Sequence, residues 1–124
     1  MQTIELIEND TAMRALICEW LQSEGYRVRA RPRIGNDRSA DVDLVVANLE
    51  DLHQGAADYV RHVRARYANA PLIGMSTQVT RTLPAASAQA RHLGLTRLIP
   101  KPCHSSELLS AVVDTIGSAT SDGI

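Results

Sequence analysis

The architecture of this chain is most apparent in residues 4–31, which read IELIENDTAMRALICEWLQSEGYRVRAR. A short apolar run opens this stretch, and after a polar interruption apolar residues recur at offsets of three and four, the spacing of one face of a helix. Asp10 or Thr11 is a suitable N-cap for that helix, and Gly25 is a suitable residue to end it. Residues 26–31 alternate in polarity and predict a second strand, so the stretch forms a strand–helix–strand unit.

The rest of the chain continues this alternation. The sequence predicts further strands at 43–47, 71–75 and 95–99, and further helices at 56–67, at about 80–92 and at 108–116. The connection 32–42 is too short for a full crossover helix, and we expect a loop or a single helical turn there. The pattern predicts an α/β fold, a flavodoxin-like three-layer sandwich whose five-stranded parallel sheet has the order 2-1-3-4-5, with the second crossover helix shortened or missing.

Composition limits the class of protein. The chain has 124 residues, 44% of them apolar and 22% charged, which suits one domain, and its net charge of -1 gives no general attraction to nucleic acid or membranes. Apolar runs are too short to span a bilayer, no secretory signal opens the sequence, and the two cysteines and four histidines have no metal-ligand spacing. We expect a cytoplasmic protein with one domain at 1–117 and a flexible tail, or the start of a linker, at 118–124.

Polar residues follow the predicted strands at their carboxyl ends, where parallel sheets place their chemistry. They are Glu8, Asn9 and Asp10 after the first strand, Asn48 and Glu50 after the third, Ser76 and Thr77 after the fourth, and Lys101 after the fifth. Lys101 is the one lysine among thirteen basic residues. A compact ammonium and a planar guanidinium are not interchangeable at a tight site, so we expect Lys101 to occupy such a site.

This arrangement resembles the receiver domain of bacterial response regulators over essentially the whole chain. The motifs that carry the resemblance are IELIEND (4–10), DLVVANL (43–49), PLIGMST (71–77) and LIPKPCHSSELLSAV (98–112). Each motif alone is weak, but the four occur in the right order at the right intervals, and the Lys-Pro pair is the most specific of their features.

The resemblance implies a role for each polar position. The acidic pair that holds Mg²⁺ in such domains falls on Glu8 and Asn9, and the phosphoacceptor falls on Asn48. The positions that contact the phosphoryl group fall on Ser76, Thr77 and Lys101, and the aromatic switch position falls on Leu98.

Three of these positions, Asn9, Asn48 and Leu98, depart from the family pattern. Asn48 cannot form an aspartyl phosphate, because its amide nitrogen lone pair is delocalised and no carboxylate is present. Two anionic ligands of the metal are lost, so we expect no cofactor, with Mg²⁺ weak or absent and Glu8 and Asp10 as its remaining ligands. We expect Lys101 to pair with Glu8 and to donate a hydrogen bond to the Asn48 carbonyl oxygen, although a small anion held by Lys101 and Ser76 is an alternative.

The sequence therefore predicts an atypical receiver domain in phosphorelay signalling that acts by protein–protein contact without phosphorylation and is not an enzyme. The resemblance implies a kinase, output domain or other regulator as partner, or a homodimer, through a face that includes Leu98, Leu108 and residues 91–97. Two alternatives stay open. One is a sensor that binds a small anion or nucleotide in the vacated acidic pocket, and the other is a switch phosphorylated on Asp51 or Asp10.

Arginines occupy alternate positions of the predicted edge strand. They are Arg27, Arg29, Arg31 and Arg33, and in a strand they project from one face. Such charges discourage edge-to-edge pairing, or they meet an acidic partner. Direct nucleic-acid binding is not expected, because aromatic residues for stacking make up only 3% of the chain.

Overall fold

The computed structural model describes residues 2–35 and 41–118, which form six strands and four helices. The strands are β1 (Thr3–Ile7), β2 (Arg27–Arg31), β3 (Leu44–Asn48), β4 (Leu72–Ser76), β5 (Leu83–Pro84) and β6 (Arg97–Pro100). The helices are α1 (Thr11–Ser23), α2 (Ala56–Arg66), α3 (Ala88–Leu93) and α4 (Ser105–Ile116). As predicted, Asp10 caps α1, accepting from the Met13 N–H at 2.8 Å, and Gly25 follows the end of α1 with a positive φ of 96°.

The strands form one sheet of order β2-β1-β3-β4-β6-β5. The five longer strands pair in parallel, in the order predicted from the sequence. The strand count was wrong by one, because the two-residue strand β5 adds to the edge of β6 in antiparallel orientation. The α/β architecture is confirmed, and it brings the carboxyl ends of β1, β3, β4 and β6 to one edge.

The helix predicted at about 80–92 is shorter than expected. Pro84 lies in β5, and α3 begins only at Ala88. Proline has no N–H to donate and disfavours helical backbone at the residue before it, which keeps Leu83 extended. Ser87 then caps α3 by accepting a hydrogen bond from the Ala90 N–H, and Gly94, with a φ of 76°, ends it.

The connection between β2 and β3 contains no helix in its described parts, 32–35 and 41–43, which agrees with the prediction of a shortened or missing crossover helix. Residues 36–40 lie outside the described residues. The predicted tail at 118–124 also lies outside them, apart from Ser118, which is half-buried.

Two layers of helices cover the sheet. Helices α1 and α4 pack on the face formed by the side chains of Ile4 and Leu6. Helices α2 and α3 pack on the opposite face, with Val45 and Ala47. The alternation along β1 places Glu5 on the same side as Ile7, so a carboxylate enters the α2 side of the sheet.

Gly74 in β4 lies at a point where the core leaves no room for a side chain. A Cβ atom there would lie 2.8 Å from Leu49 Cδ1 and 3.0 Å from Leu95 Cδ1. We expect Gly74→Ala to lower the free energy of unfolding by about 1–3 kcal/mol, because both leucine side chains must shift within a packed core. Urea denaturation at constant m-value measures this loss, and an unchanged midpoint would contradict the packing described here.

Candidate functional site

Lys101 lies at the centre of the polar edge of the sheet. Its Nζ is 2.5 Å from Glu8 Oε1 and 3.0 Å from Asn48 Oδ1. The Lys101 side chain is 12% exposed and the Glu8 side chain 1%. Both contacts predicted for Lys101 are confirmed, so one ammonium joins the end of β6 to the ends of β1 and β3.

A chain of side-chain hydrogen bonds continues from this ammonium. The Asn48 amide nitrogen donates to Asn9 Oδ1 at 3.3 Å, and the Asn9 amide nitrogen donates to Glu50 Oε1 at 2.6 Å. We call Lys101, Asn48, Asn9 and Glu50 the amide chain. Its donors all point in one direction, from the ammonium of Lys101 to the carboxylate of Glu50, so two neutral amides link a cation to an anion.

The two carboxylates expected to remain as Mg²⁺ ligands both have protein partners. The second oxygen of Glu8 accepts from the Asp10 N–H at 3.0 Å, while Asp10 Oδ1 caps α1. The Asn48 oxygen is bonded to Lys101. The side-chain oxygens of Glu8, Asp10 and Asn48 that could face a Mg²⁺ ion at this edge therefore take part in hydrogen bonds within the chain. No group of three or more histidine, cysteine or acidic residues in 2–35 and 41–118 could hold a metal.

The other predicted phosphoryl-contact positions differ in exposure. Ser76 is fully buried at the end of β4, and its Oγ accepts from the Gln78 N–H at 3.0 Å. Thr77 is exposed beside it. The Ser76 hydroxyl is thus satisfied by the local backbone.

The predicted partner face needs correction. Leu98 and Leu108 are both 0% exposed and belong to the two cores, so neither contacts a partner. Leu98 faces the core under α2 and α3, and Leu108 lies on the side of α4 that packs against the sheet. Arg91 and His92 are exposed on α3, and Arg97 is partly exposed at the start of β6.

Asp51, the proposed substitute acceptor, is held in a local turn. Its Oδ1 accepts from the His53 N–H at 2.9 Å, and this backbone hydrogen bond lowers the pKa of the carboxyl. Cys103, which follows the Lys-Pro pair, is half-buried, and burial raises the pKa of its thiol. A raised thiol pKa opposes formation of the reactive thiolate.

A buried ionic cluster that was not predicted from the sequence lies on the α2 side of the sheet. Glu5 is 0% exposed, and its carboxylate oxygens lie 3.0 Å from Arg29 Nε and 2.8 Å from Arg31 Nε. The Tyr67 hydroxyl donates to the same carboxylate at 3.1 Å. We call these four residues the Glu5 cluster. The one-sided arginine stripe is thus confirmed for β2, but two of its members bind an internal carboxylate.

A signal for the Glu5 cluster was present in the sequence. Glu5 interrupts the apolar run of β1, and in parallel register it lies opposite Arg29. A single carboxylate inside a buried strand requires a charged partner. The neighbouring strand carries an arginine at every second position.

One cavity opens beside the amide chain. It has a volume of about 520 Å³ and lies between the ends of β1 and β3, the start of α2 and the residues that follow β2. Its lining includes Asn9 and Asn48 from the amide chain, and we call it the edge cavity. It lies where β1 and β3 send their chains to opposite faces of the sheet, the usual position of ligands in open α/β sheets.

Comparisons with known proteins point in one direction. No model of a known protein family matches the sequence, and no curated protein matches it either. Among solved structures, the non-phosphorylated HemR receiver domain from Leptospira biflexa has a TM-score of 0.72 and 27% identity, covering 94% of each chain. The chemotaxis protein CheY4 of Vibrio cholerae has a TM-score of 0.73 and 18% identity, covering 93% of this chain and 98% of its own.

A response regulator from Thermotoga maritima is also similar, with a TM-score of 0.71 and 14% identity over 95% of this chain and 99% of its own. No helix in the described ranges is long and apolar enough to cross a membrane. The resemblance predicted from the sequence is confirmed: this chain has the fold of the receiver domains of two-component response regulators.

Proposed function

We propose that this chain is an atypical receiver domain that signals in the cytoplasm through protein contacts, without phosphorylation at the usual acceptor and without enzymatic activity. The observation that carries the proposal is the engagement of Lys101 by Glu8 and Asn48 at 2.5 and 3.0 Å. The lysine that would contact a phosphoryl group already has two partners from its own chain.

The acceptor position supports the proposal on chemical grounds. An acyl phosphate forms when a carboxylate oxygen attacks phosphorus, while cations neutralise the phosphoryl oxygens. Asn48 offers a carbonyl oxygen bonded to Lys101 and an amide nitrogen that donates to Asn9. Neither atom is an anionic nucleophile.

The two asparagines of the amide chain make a metal ion at this edge unnecessary. Carboxylates at positions 9 and 48 would repel each other and Glu8 unless a metal ion lay between them. The two asparagines remove this repulsion, and one donates to the other at 3.3 Å. The edge is therefore joined by hydrogen bonds within the chain and has no need of Mg²⁺.

Signalling in this state requires a protein partner, such as a kinase, an output domain, another regulator or a second copy of the chain. Leu98 has no polar group to bond the Ser76 hydroxyl, which is bonded to its own loop. A change at the Ser76 hydroxyl is therefore not passed to Leu98 by a side-chain hydrogen bond, and we infer one conformation that presents a constant surface.

The geometry disfavours both alternatives. A small anion at Lys101 would compete with the Glu8 carboxylate, which is almost fully buried and already neutralises the ammonium. For a substitute acceptor, Asp10 caps α1 and Asp51 closes its own turn, so phosphorylation of either would break a hydrogen bond that orders the backbone.

This proposal is tested by the amide NMR spectrum of the native chain alone, with Mg²⁺, and with Mg²⁺ plus acetyl phosphate. We expect the three spectra to superimpose, because position 48 has no carboxylate and the remaining carboxylates, Glu8 and Asp10, already bond within the chain. The matched control is Asn9→Asp/Asn48→Asp, in which restored carboxylates should produce Mg²⁺-dependent shifts at the ends of β1 and β3. Saturable shifts of Asn48 or Lys101 in the native chain would overturn the proposal.

A further inference from the structure

We propose that the edge cavity is a binding site for a small zwitterion with an apolar body, the chemistry of a free amino acid with a bulky side chain. The cavity of about 520 Å³ is within the range of small-molecule sites. This inference goes beyond the proposed signalling role and does not depend on it.

Polar side chains with no partner in the protein line this cavity. Arg33, Gln54 and Tyr59 all border it. Within the described ranges, none of their side chains has a hydrogen bond or an ion pair. Burial raises the pKa of Tyr59 to about 12, so its hydroxyl stays protonated and is a donor. A guanidinium, an amide and a hydroxyl thus offer hydrogen bonds to a carboxylate.

Acidic side chains lie in the same lining. Glu50 and Asp51 border the cavity together with Arg33, yet no ion pair joins Arg33 to either carboxylate. An anion alone would meet two carboxylates, and a cation alone would leave the guanidinium without a partner. A molecule that carries both an ammonium and a carboxylate satisfies both kinds of group.

The floor between the charged groups is apolar. Ile7 and Leu49 are each 2% exposed and Ala56 is 6% exposed, and the Tyr59 ring and Ile34 complete the apolar lining. Ile34 and Tyr59 are only partly buried, so they leave apolar surface that a hydrophobic side chain of the ligand can cover with a gain in free energy. The occupant therefore carries an apolar side chain beside its two charged groups.

A set of three indoles separates the contributions of the two charges. Tryptophan carries both charges, tryptamine carries only the ammonium, and indole-3-propionate carries only the carboxylate. In NMR titrations of the full chain, we expect tryptophan to bind at least about tenfold more tightly than either analogue, since each analogue loses charge-assisted hydrogen bonds. Shifted amides should cluster at residues 48–56.

Two arginine variants, one in β2 and one just after it, provide a control and a test. Arg33→Gln should weaken tryptophan binding by about tenfold or more and leave tryptamine unchanged. Arg27→Gln, an exposed arginine of β2 outside the cavity, should change neither. The proposal is overturned if tryptophan does not bind at millimolar concentration, if tryptamine binds as tightly, or if Arg27→Gln has the effect of Arg33→Gln. Because Arg33 is not part of the amide chain, the outcome of this binding test does not depend on whether the native chain can be phosphorylated.

Discussion

Lys101→Met is expected to lower the free energy of unfolding by about 3–5 kcal/mol. The substitution keeps an unbranched side chain of similar length but removes the ammonium that lies 2.5 Å from Glu8 Oε1. Glu8, only 1% exposed, would then hold an uncompensated charge, and the Asn48 oxygen would lose its donor. Urea denaturation followed by circular dichroism measures the loss.

Two controls attribute this loss to the buried pair. Arg61→Met removes the cation of an exposed pair, in which the Arg61 and Asp58 side chains are 75% and 76% exposed, and should cost no more than about 1 kcal/mol. Glu8→Gln combined with Lys101→Met should recover much of the lost stability, because no buried charge then remains. A loss below about 1 kcal/mol for Lys101→Met would show that Glu8 does not depend on Lys101.

Glu5→Ala is expected to lower the free energy of unfolding by about 2–3 kcal/mol. The carboxylate is fully buried, accepts a charge-assisted hydrogen bond from Arg29 and forms an ion pair with Arg31. The expected loss is smaller than for Lys101, because the two arginine side chains are 40% and 28% exposed and water can replace part of their bonding. Urea denaturation measures this loss as well.

The matched control for this variant is Glu19→Ala, which removes an exposed carboxylate from α1 and should change stability by no more than about 0.5 kcal/mol. Tyr67→Phe should cost about 1 kcal/mol, since it removes only the hydroxyl that donates to Glu5. Equal stability of Glu5→Ala and the native chain would mean that the Glu5 cluster does not stabilise the β2 edge of the sheet.

Features of the fold that depend on local pattern could be predicted from the sequence. The cap at Asp10 and the end of α1 at Gly25 follow from backbone chemistry within a few residues. The Lys101 contacts were also foreseeable, because parallel strands bring their carboxyl ends to one edge and Glu8 was the carboxylate available there.

Features that depend on three-dimensional packing could not be predicted in the same way. Apolar spacing favoured one helix over 80–92. Instead, Leu83 and Pro84 form β5, because proline disfavours helix there and the edge of β6 is available for pairing. Leu98 and Leu108 were assigned to a surface by resemblance, whereas burial depends on how closely α3 and α4 cover the sheet. The edge cavity depends on the relative positions of the residues after β2 and the start of α2, which no short-range pattern specifies.

The central claim is that the native chain cannot be phosphorylated at this edge. Its most direct test is the intact mass of the native chain and of Asn48→Asp after incubation with acetyl phosphate and Mg²⁺. We expect no phosphoryl adduct on the native chain, whether or not the single carboxylate restored in Asn48→Asp is enough for that variant to react. A phosphoryl adduct on the native chain that peptide mapping locates on Asp10, Asp51 or another residue of this edge would contradict the claim.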